Sequence, residues 1–281
     1  HRRDPQSHCP LAVRRQTGMG RRIAVRVRSR KTCQDHGATS ARLRRSARLR
    51  GPPAIGLRPV RHVSRSARRF GGPVPAAGPI FELSDCESHI RQGVTTSLGG
   101  PDGRGPIPFG VFVDSLKQLG VGMNVGFLVG HNSVRREVMN LDNRKPTAAE
   151  LGEMKNLIAQ AMDEGAYGIS TGLKYLPGSF SEVEEVIELS KEASKKGGIY
   201  TSHLRDEGLE VLASVKEAIT ISEKAEIPVI LTHHKVIGKP MWGKSNETLA
   251  LVDQARKKGL NIMMDQYPYN ASYTGVRAIW F

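Results

Sequence analysis

Two short segments of this sequence place histidines beside cationic side chains: TSHLRDEG around His203 and LTHHKVIG around His233. If side chains alternate along a strand, His203 shares a face with Arg205, and His233 shares one with Lys235. Imidazoles at the ends of adjacent strands, about 5 Å apart, can share one metal ion. The pattern therefore predicts a metal centre. Plain hydrogen bonding between strand-end histidines and a metal-free anion site are the alternatives.

Other residues able to do chemistry lie in loops that follow apolar runs. Asp102 lies in the Gly/Pro-rich segment GGPDGRGP, where it is either a metal ligand or an ordinary turn residue. Tyr175 in GISTGLKYLPG and Tyr267 in DQYPYNAS either face a substrate or simply pack. His131 in LVGHNSVR also follows an apolar run, and orienting its loop through hydrogen bonds is its favoured role.

The elements that must position these residues recur at a regular interval. Ser170, His203, His233 and Asp265 each end a short apolar run, and successive members are 33, 30 and 32 residues apart. Repeats of this length predict alternating strands and helices in a parallel α/β fold, and they favour a (β/α)₈ barrel. In such a barrel the carboxyl ends of the strands form the active-site face. Six strands are predicted, at 93–99, 124–130, 166–170, 198–202, 228–232 and 261–265.

Four helices are predicted between these strands. Thr147 and Glu150 form a capping-box pattern at the start of a helix over 147–164, and Ser181 with Glu184 repeats that pattern at the start of the next helix. Two further helices fit 207–224 and 245–258. Since a closed barrel needs eight strands, one more is expected before residue 81 and another after residue 281.

The positive charge is concentrated at one end of the chain. The formal net charge is +15, yet residues 1–80 contain 19 Arg and one Lys against only Asp4 and Asp35. This segment shows neither a helical nor a strand period. It is interpreted as a disordered basic tail, as a nucleic-acid-binding arm or targeting peptide, or as the translation of a GC-rich gene in the wrong reading frame.

Composition excludes several classes of protein. No run of 18 apolar residues is present, so no membrane-spanning helix is predicted. A secretory leader is not expected either. Cys9, Cys33 and Cys86 are odd in number and far apart, which excludes a disulfide framework and a CxxC zinc module and favours a reducing cytoplasm.

Together these segments resemble the N-acyl-D-amino-acid deacylase (D-aminoacylase) family of the amidohydrolase superfamily. The resemblance runs from about Cys86 to Trp280 and implies a distorted (β/α)₈ barrel of the metal-dependent hydrolase type, with zinc at the carboxyl ends of its strands. Residues 81–281 would then form about strands 2–7 of an incomplete barrel. The segments that carry the resemblance are ESHIRQGVTT, GGPDG, LVGHNSVR, GAYGISTGLKYLPGSF, YTSHLRDEG, LTHHKVIG, MWGKS and DQYPYNAS.

The resemblance also implies roles for individual residues. His203 and His233 match the zinc-binding histidines of the fifth and sixth strands, and Asp102 stands where well-known members have a metal-ligating Cys. The site would hold one or two Zn²⁺ ions. The residues expected to hold the substrate's carboxylate and amide are Lys235, Tyr175, Tyr267 and Ser272, with Arg205 as a further partner of the carboxylate.

Three features of the family are not found in the sequence. The first strand should end in an HxH pair, which residues 1–80 lack, and the catalytic Asp of the eighth strand is expected beyond Phe281. There is no sign of the family's small β-sandwich. On this basis the 281-residue chain is expected to be a fragment with no deacylase activity, weak zinc affinity and a tendency to aggregate.

The sequence therefore predicts metal-dependent hydrolysis of the amide bond of N-acyl-D-amino acids, which are small-molecule substrates. Within the superfamily the alternatives are a dihydroorotase- or hydantoinase-like cyclic amidase, or a dipeptidase. The alternative outside this class is a basic nucleic-acid-binding protein acting through residues 1–80. Neither nucleic acid nor membrane is an expected partner of the hydrolase.

Overall fold

The structure is a computed structural model, and it describes residues 78–272 and 274. The predictions made for residues 1–77 therefore lie outside the described residues. These include the disordered-tail, wrong-frame and nucleic-acid-binding interpretations. Any strand before residue 78 or beyond residue 274 lies outside them as well.

Strands and helices alternate through the described residues, as the repeat predicts. The strands are β1 (Thr96–Gly99), β2 (Asn124–Phe127), β3 (Val129–Gly130), β4 (Gly168–Gly172), β5 (Ile199–His203), β6 (Val229–Leu231) and β7 (Ile262–Met264). The helices are α1 (Gly78–Glu82), α2 (Glu87–Ile90), α3 (Phe109–Leu119), α4 (His131–Met139), α5 (Ala148–Asp163), α6 (Val183–Lys195), α7 (Val211–Ala225) and α8 (Ser245–Lys257). Short 3₁₀ turns occur at Gly178–Phe180 and Lys239–Met241.

All strand pairs in the described residues are parallel. Strands β3 to β7 form one sheet in chain order, and β1 pairs with β2 in a second sheet. Gly172 at the end of β4 lies opposite His203 at the end of β5. Ser202 in turn lies opposite Leu231, the last residue of β6. The carboxyl ends of the strands are therefore level, which brings the loops that follow them to one edge.

The predicted strand over 124–130 is wrong as a single element, because it is divided between the two sheets. Strand β2 pairs with β1, whereas β3 pairs with β4, and Leu128 separates them. Leu128 N still donates to Gly99 O in β1 at 3.0 Å, but the loop after β1 packs on the Leu128 carbonyl, which Gly105 approaches so closely that a Cβ would overlap it. A contact with a distant loop thus interrupts the strand.

One predicted capping box is confirmed and the other is wrong. At the start of α5, Glu150 N donates to Thr147 Oγ1 at 3.3 Å and Thr147 N donates to Glu150 Oε2 at 2.8 Å. At the start of α6 the N-cap is Glu182, which makes no capping hydrogen bond from its side chain. Ser181 does not cap the helix because its hydroxyl donates to Gly178 O, at 2.6 Å, in the preceding 3₁₀ turn.

The core lies between the sheet and the helices that cover it. Every residue of β4 and β6 is buried, as expected for parallel strands covered on both faces. Helices α5, α6 and α7 each bury an apolar face, with Met154, Ile158, Val186, Leu189 and Val215 fully inaccessible. Among the described residues, no helix is both long and apolar enough to cross a bilayer.

The capping box of α5 gives a direct test of the fold. Thr147→Ala removes the acceptor for Glu150 N and should lower the free energy of unfolding by about 1 kcal/mol. Thr220→Ala is the matched control, since the Thr220 hydroxyl donates only to Lys216 O within α7. Chemical denaturation of the two variants measures the difference, and equal stabilities would contradict the observed N-terminus of α5.

Candidate metal centre

Three residues from separate loops and strands meet at the carboxyl edge of the sheet. Asp102 comes from the loop after β1, His203 is the last residue of β5, and His233 lies two residues after β6. Asp102 Oδ1 is 3.5 Å from His203 Nδ1 and 3.5 Å from His233 Nε2. His203 Nδ1 and His233 Nε2 are 2.8 Å apart. The structure thus brings together the three residues that the sequence suggests as metal ligands.

The donor atoms of this trio fit a divalent metal ion. Asp102 Oδ1 is buried and has no hydrogen-bond partner among the described residues, because contacts of 3.5 Å to imidazole nitrogens are electrostatic rather than normal hydrogen bonds. Ligand atoms of a tetrahedral zinc site, with bonds of about 2.0–2.1 Å, lie about 3.3 Å from one another. Both carboxylate–imidazole distances are close to that value. A cation would also replace the proton that the two imidazole nitrogens share.

The charges of the trio are strongly coupled. Burial alone would raise the pKa of Asp102, but the two histidines outweigh burial and hold that pKa well below its ordinary range. Burial would lower the pKa of His233, yet the carboxylates of Asp102 and Glu207 raise it to about 9. At neutral pH the metal-free site therefore holds its own proton on His233. A metal ion would bind by displacing that proton.

The backbone at two of the three candidate ligands is in the left-handed region. Asp102 has φ 59° and His233 has φ 43°, a conformation that costs a non-glycine residue on the order of 1–3 kcal/mol. Asp265, the residue after β7, holds the turn at His233, since its Oδ1 accepts from His233 N at 2.6 Å and its carbonyl accepts from His234 N at 2.8 Å. Strain of this kind persists where the surrounding structure enforces it.

Ser170 fixes the loop that carries Asp102. Its hydroxyl donates to Gly100 O at 2.6 Å and accepts from Gly103 N at 3.1 Å, so it binds the backbone on both sides of Asp102. Gly103 has φ 73°, and a Cβ there would overlap the side chain of Asn132. A side chain at position 103 would therefore displace either Asn132 or the loop itself.

Asn132 connects this loop to the one that carries Tyr175. Its Nδ2 donates to Gly172 O at 3.0 Å and to Tyr175 O at 3.1 Å, and its Oδ1 accepts from Gly172 N at 3.1 Å. The Tyr175 ring centroid consequently lies 4.6 Å from that of His203. The periodic patterns of the sequence do not single out Asn132, the second residue of α4, because its partners are main-chain atoms about 40 residues away in the chain.

The residues suggested for substrate binding divide into two groups. Lys235 and Tyr267 lie with the trio: Lys235 Nζ is 3.0 Å from His233 Nδ1 and 5.5 Å from the centre of the Tyr267 ring. Burial raises the pKa of Tyr267, and a hydrogen bond with the exposed Ser272 opposes the increase. His234 points away from the trio, as predicted, and bonds Thr248 on α8, although it follows the turn after β6 and does not continue the strand.

Arg205 belongs to the second group, since its guanidinium is engaged by its own protein. Its Nη2 is 2.8 Å from Glu217 Oε1 on α7 and 3.0 Å from Ser181 O, and its Nη1 is 3.3 Å from Ser179 O. These contacts tie the end of β5 to α7 and to the turn before α6. The structure therefore does not group Arg205 with Lys235.

His131 has a structural partner that the sequence did not indicate. Its Nε2 is 2.8 Å from Glu185 Oε1, and both side chains are buried. Arg135 Nη1 pairs with the second oxygen of Glu185. As predicted for His131, hydrogen bonding orients the start of α4, here against α6. Burial would raise the pKa of Glu185, but the hydrogen bond and charge of His131 and the charge of Arg135 lower it.

Known proteins resemble this chain over about two thirds of its length. It is 39% identical over 218 residues to the D-aminoacylase of Alcaligenes xylosoxydans xylosoxydans, a match that covers 69% of this chain and 45% of the relative. The chain thus spans less than half the length of this relative. No family model matches it.

Two solved structures share the fold. A D-aminoacylase crystal structure matches with a TM-score of 0.65 and 32% identity, covering 69% of this chain and 46% of that chain. The N-acyl-D-glutamate deacylase of Bordetella bronchiseptica, solved with zinc and a phosphonate mimic of the tetrahedral intermediate, matches with a TM-score of 0.65 and 31% identity over the same shares. Both are (β/α)₈ barrels of the amidohydrolase type, so the prediction of part of such a barrel is confirmed.

The buried Glu185 predicts an acid-dependent loss of stability. Because its pKa is lower in the folded than in the unfolded chain, its contribution is present above the unfolded pKa and is lost as pH falls through the folded pKa. Glu185→Gln should flatten this dependence. It should also cost about 3–5 kcal/mol at neutral pH, since Arg135 is left buried without its carboxylate. Urea unfolding from pH 7 down to pH 3 measures both effects, and an unchanged acid limb would contradict this role.

Proposed function

The chain belongs to the D-aminoacylase family of amidohydrolases, and on this basis we propose that its site serves metal-dependent hydrolysis of the amide bond in N-acyl-D-amino acids. One observation carries the proposal: Asp102, His203 and His233 converge at the carboxyl edge of the sheet, with a buried carboxylate oxygen that lacks a hydrogen-bond partner among the described residues. This is the edge at which barrel enzymes place their active sites.

Zinc is the metal that we propose for this trio. Two imidazole nitrogens and one carboxylate oxygen form a ligand set that zinc accepts, with a fourth position open for water or substrate. A carboxylate at position 102 is a harder ligand than the family's thiolate. The affinity for soft metal ions, relative to zinc, should therefore be lower than in relatives with Cys. The trio can hold one ion, and the residues expected to hold a second one lie outside it.

A bound zinc ion would polarise the scissile carbonyl and lower the pKa of its water toward about 7. The chain's own residues bind and orient the substrate. Lys235 Nζ is 3.0 Å from His233 Nδ1 and donates one of its three protons to Glu207, so another proton would donate to the substrate's carboxylate. Burial and the Asp102 carboxylate raise the pKa of Tyr175 to about 12, so its hydroxyl stays neutral and can donate to the amide. Tyr267 and Ser272 would border the same side of the substrate.

The internal partners of Arg205 change the role proposed for it. Because Glu217 and two carbonyl groups already engage the guanidinium, we assign Arg205 to holding the loop after β5 rather than to binding the carboxylate. We further propose that residues 81–281 form the partial barrel. A cytoplasmic location is also proposed, on the grounds of the three widely spaced cysteines.

The deacylase proposal competes with cyclic-amide hydrolysis and dipeptide hydrolysis. The segments LTHHK and DQYPY and the names of the most similar relatives favour the deacylase. A binding experiment separates the candidates even if turnover is slow. The full chain loaded with Zn²⁺ should bind a phosphonate analogue of an N-acyl-D-amino acid more tightly than its L enantiomer, and more tightly than the metal-free chain does. Calorimetric titration measures both differences. Equal affinity for the enantiomers, or preference for a hydantoin or dihydroorotate, would contradict the proposal.

Substitution of Asp102 tests the metal site itself. Asp102→Asn keeps the shape of the side chain but removes the negative charge, so Zn²⁺ affinity should fall by more than the roughly 10- to 100-fold that changes outside the ligand shell cost. Asp102→Cys is the matched variant: it should retain Zn²⁺ and gain affinity for Cd²⁺, a softer ion. Competition with a chromophoric chelator gives these constants, and full Zn²⁺ affinity in the Asn variant would exclude Asp102 as a ligand.

A further inference from the structure

Glu207 lies beside His233, at the ring nitrogen that faces away from Asp102. It lies in the loop after β5, and its side chain is only 10% exposed. Its Oε1 is 3.1 Å from His233 Nδ1 and 2.6 Å from Lys235 Nζ. This one oxygen therefore lies within hydrogen-bond distance of both the His233 imidazole and the Lys235 ammonium group.

The backbone around Glu207 is firmly held. Asp206 Oδ1 accepts from Gly208 N at 2.6 Å and from Glu210 N at 3.0 Å, and Asp206 N donates to Ser214 Oγ on α7 at 3.0 Å. Glu207 O accepts from Ile237 N at 2.8 Å, which joins this loop to the one that carries His233. These hydrogen bonds therefore fix the loop that places the Glu207 carboxylate next to the His233 imidazole.

The two nitrogens of His233 need opposite states when a metal is bound. Nε2 faces Asp102 and His203 and must offer its lone pair, so in a neutral imidazole the proton has to be on Nδ1. Lys235 Nζ, 3.0 Å from Nδ1, has only protons to donate and would favour the wrong tautomer. Glu207 Oε1 is an acceptor for Nδ1–H, and it also takes a hydrogen bond from Lys235.

We propose that Glu207 is a positioning residue for the metal centre. Its carboxylate accepts a hydrogen bond from Nδ1–H of His233, which leaves the Nε2 lone pair free to bind the metal. The carboxylate also pairs with Lys235, so that the ammonium group does not donate to Nδ1. A carboxylate bonded to the far nitrogen of a metal-bound histidine fixes the ring and strengthens it as a ligand. The inference rests on the proposed metal centre at Asp102, His203 and His233.

The test compares Zn²⁺ affinity in the full chain and three variants. Glu207→Gln keeps the size of the side chain but loses the charge, and we expect affinity to fall about 10- to 100-fold. Glu207→Asp retains the charge and should recover part of the loss. Glu192→Gln is the control, because Glu192 is also a largely buried carboxylate paired with a cation, Lys195, but it lies on α6 and contacts neither the trio nor the loop that carries Glu207. Its affinity for Zn²⁺ should match that of the unchanged chain.

A second measurement separates positioning from a merely structural role. In the zinc-loaded chain with ¹⁵N-labelled histidine, the His233 resonances should show a protonated Nδ1 and a metal-bound Nε2, and Glu207→Gln should weaken or abolish this pattern. Thermal unfolding without metal identifies a variant that fails to fold, in which case Glu207→Asp supplies the comparison. If the unchanged chain binds no zinc, the proposed function fails. If it binds zinc and the Gln variant binds equally well with the same tautomer, this inference alone is wrong.

Discussion

The buried carboxylate of Asp102 faces two imidazoles in a place where water cannot solvate it fully. Several loops and strands hold the carboxylate and the imidazoles in contact. A buried anion needs a compensating positive charge. In the metal-free chain a proton on the histidines supplies it, which is why the pKa of His233 is raised and that of Asp102 is lowered. A divalent cation would also compensate the negative charge of Asp102, and it carries twice the charge of a proton. Protons and metal therefore compete for one set of lone pairs.

The loops position Asp102, His203 and His233 as much as the strands do. Parallel pairing brings His203 level with β4 and β6, but Asp102 reaches the site only because Ser170 binds the backbone on both sides of it and Asn132 spans the gap to Tyr175. Asp265 holds the left-handed turn at His233. Each of these side chains binds main-chain atoms, so the geometry of the site is set by buried hydrogen bonds rather than by apolar packing alone.

The sequence predicts the parts of this arrangement that follow from periodicity. Strands buried on both faces give short apolar runs at a regular spacing, so the α/β class and the polar strand ends could be read from Ser170, His203 and His233. Helices α3 and α4 were not among the predicted helices. The division of 124–130 depends on Leu128 meeting a loop more than twenty residues away, and no local pattern encodes such a contact.

The polar residues that support the site were less predictable still. Glu207 lies in a loop without a repeating pattern, and Asn132 is the second residue of α4. Their roles depend on which backbone or imidazole atoms tertiary folding brings within hydrogen-bond distance. Ser181 shows the reverse case: it fits a capping pattern, but a nearer carbonyl takes its hydroxyl. Strand order together with the family resemblance predicted that Asp102 lies with the two histidines. Taken alone, Asp102 is equally well suited to an ordinary turn.

The most direct test of the account is X-ray absorption at the zinc edge on the full chain loaded with one equivalent of Zn²⁺. The trio predicts nitrogen and oxygen neighbours at about 2.0–2.1 Å, with the outer-shell signal of two imidazoles and no sulfur at about 2.3 Å. Sulfur in the first shell would place the metal at a cysteine, and fewer than two imidazoles would exclude His203 and His233 as joint ligands. Either result would contradict a metal centre built on Asp102, His203 and His233.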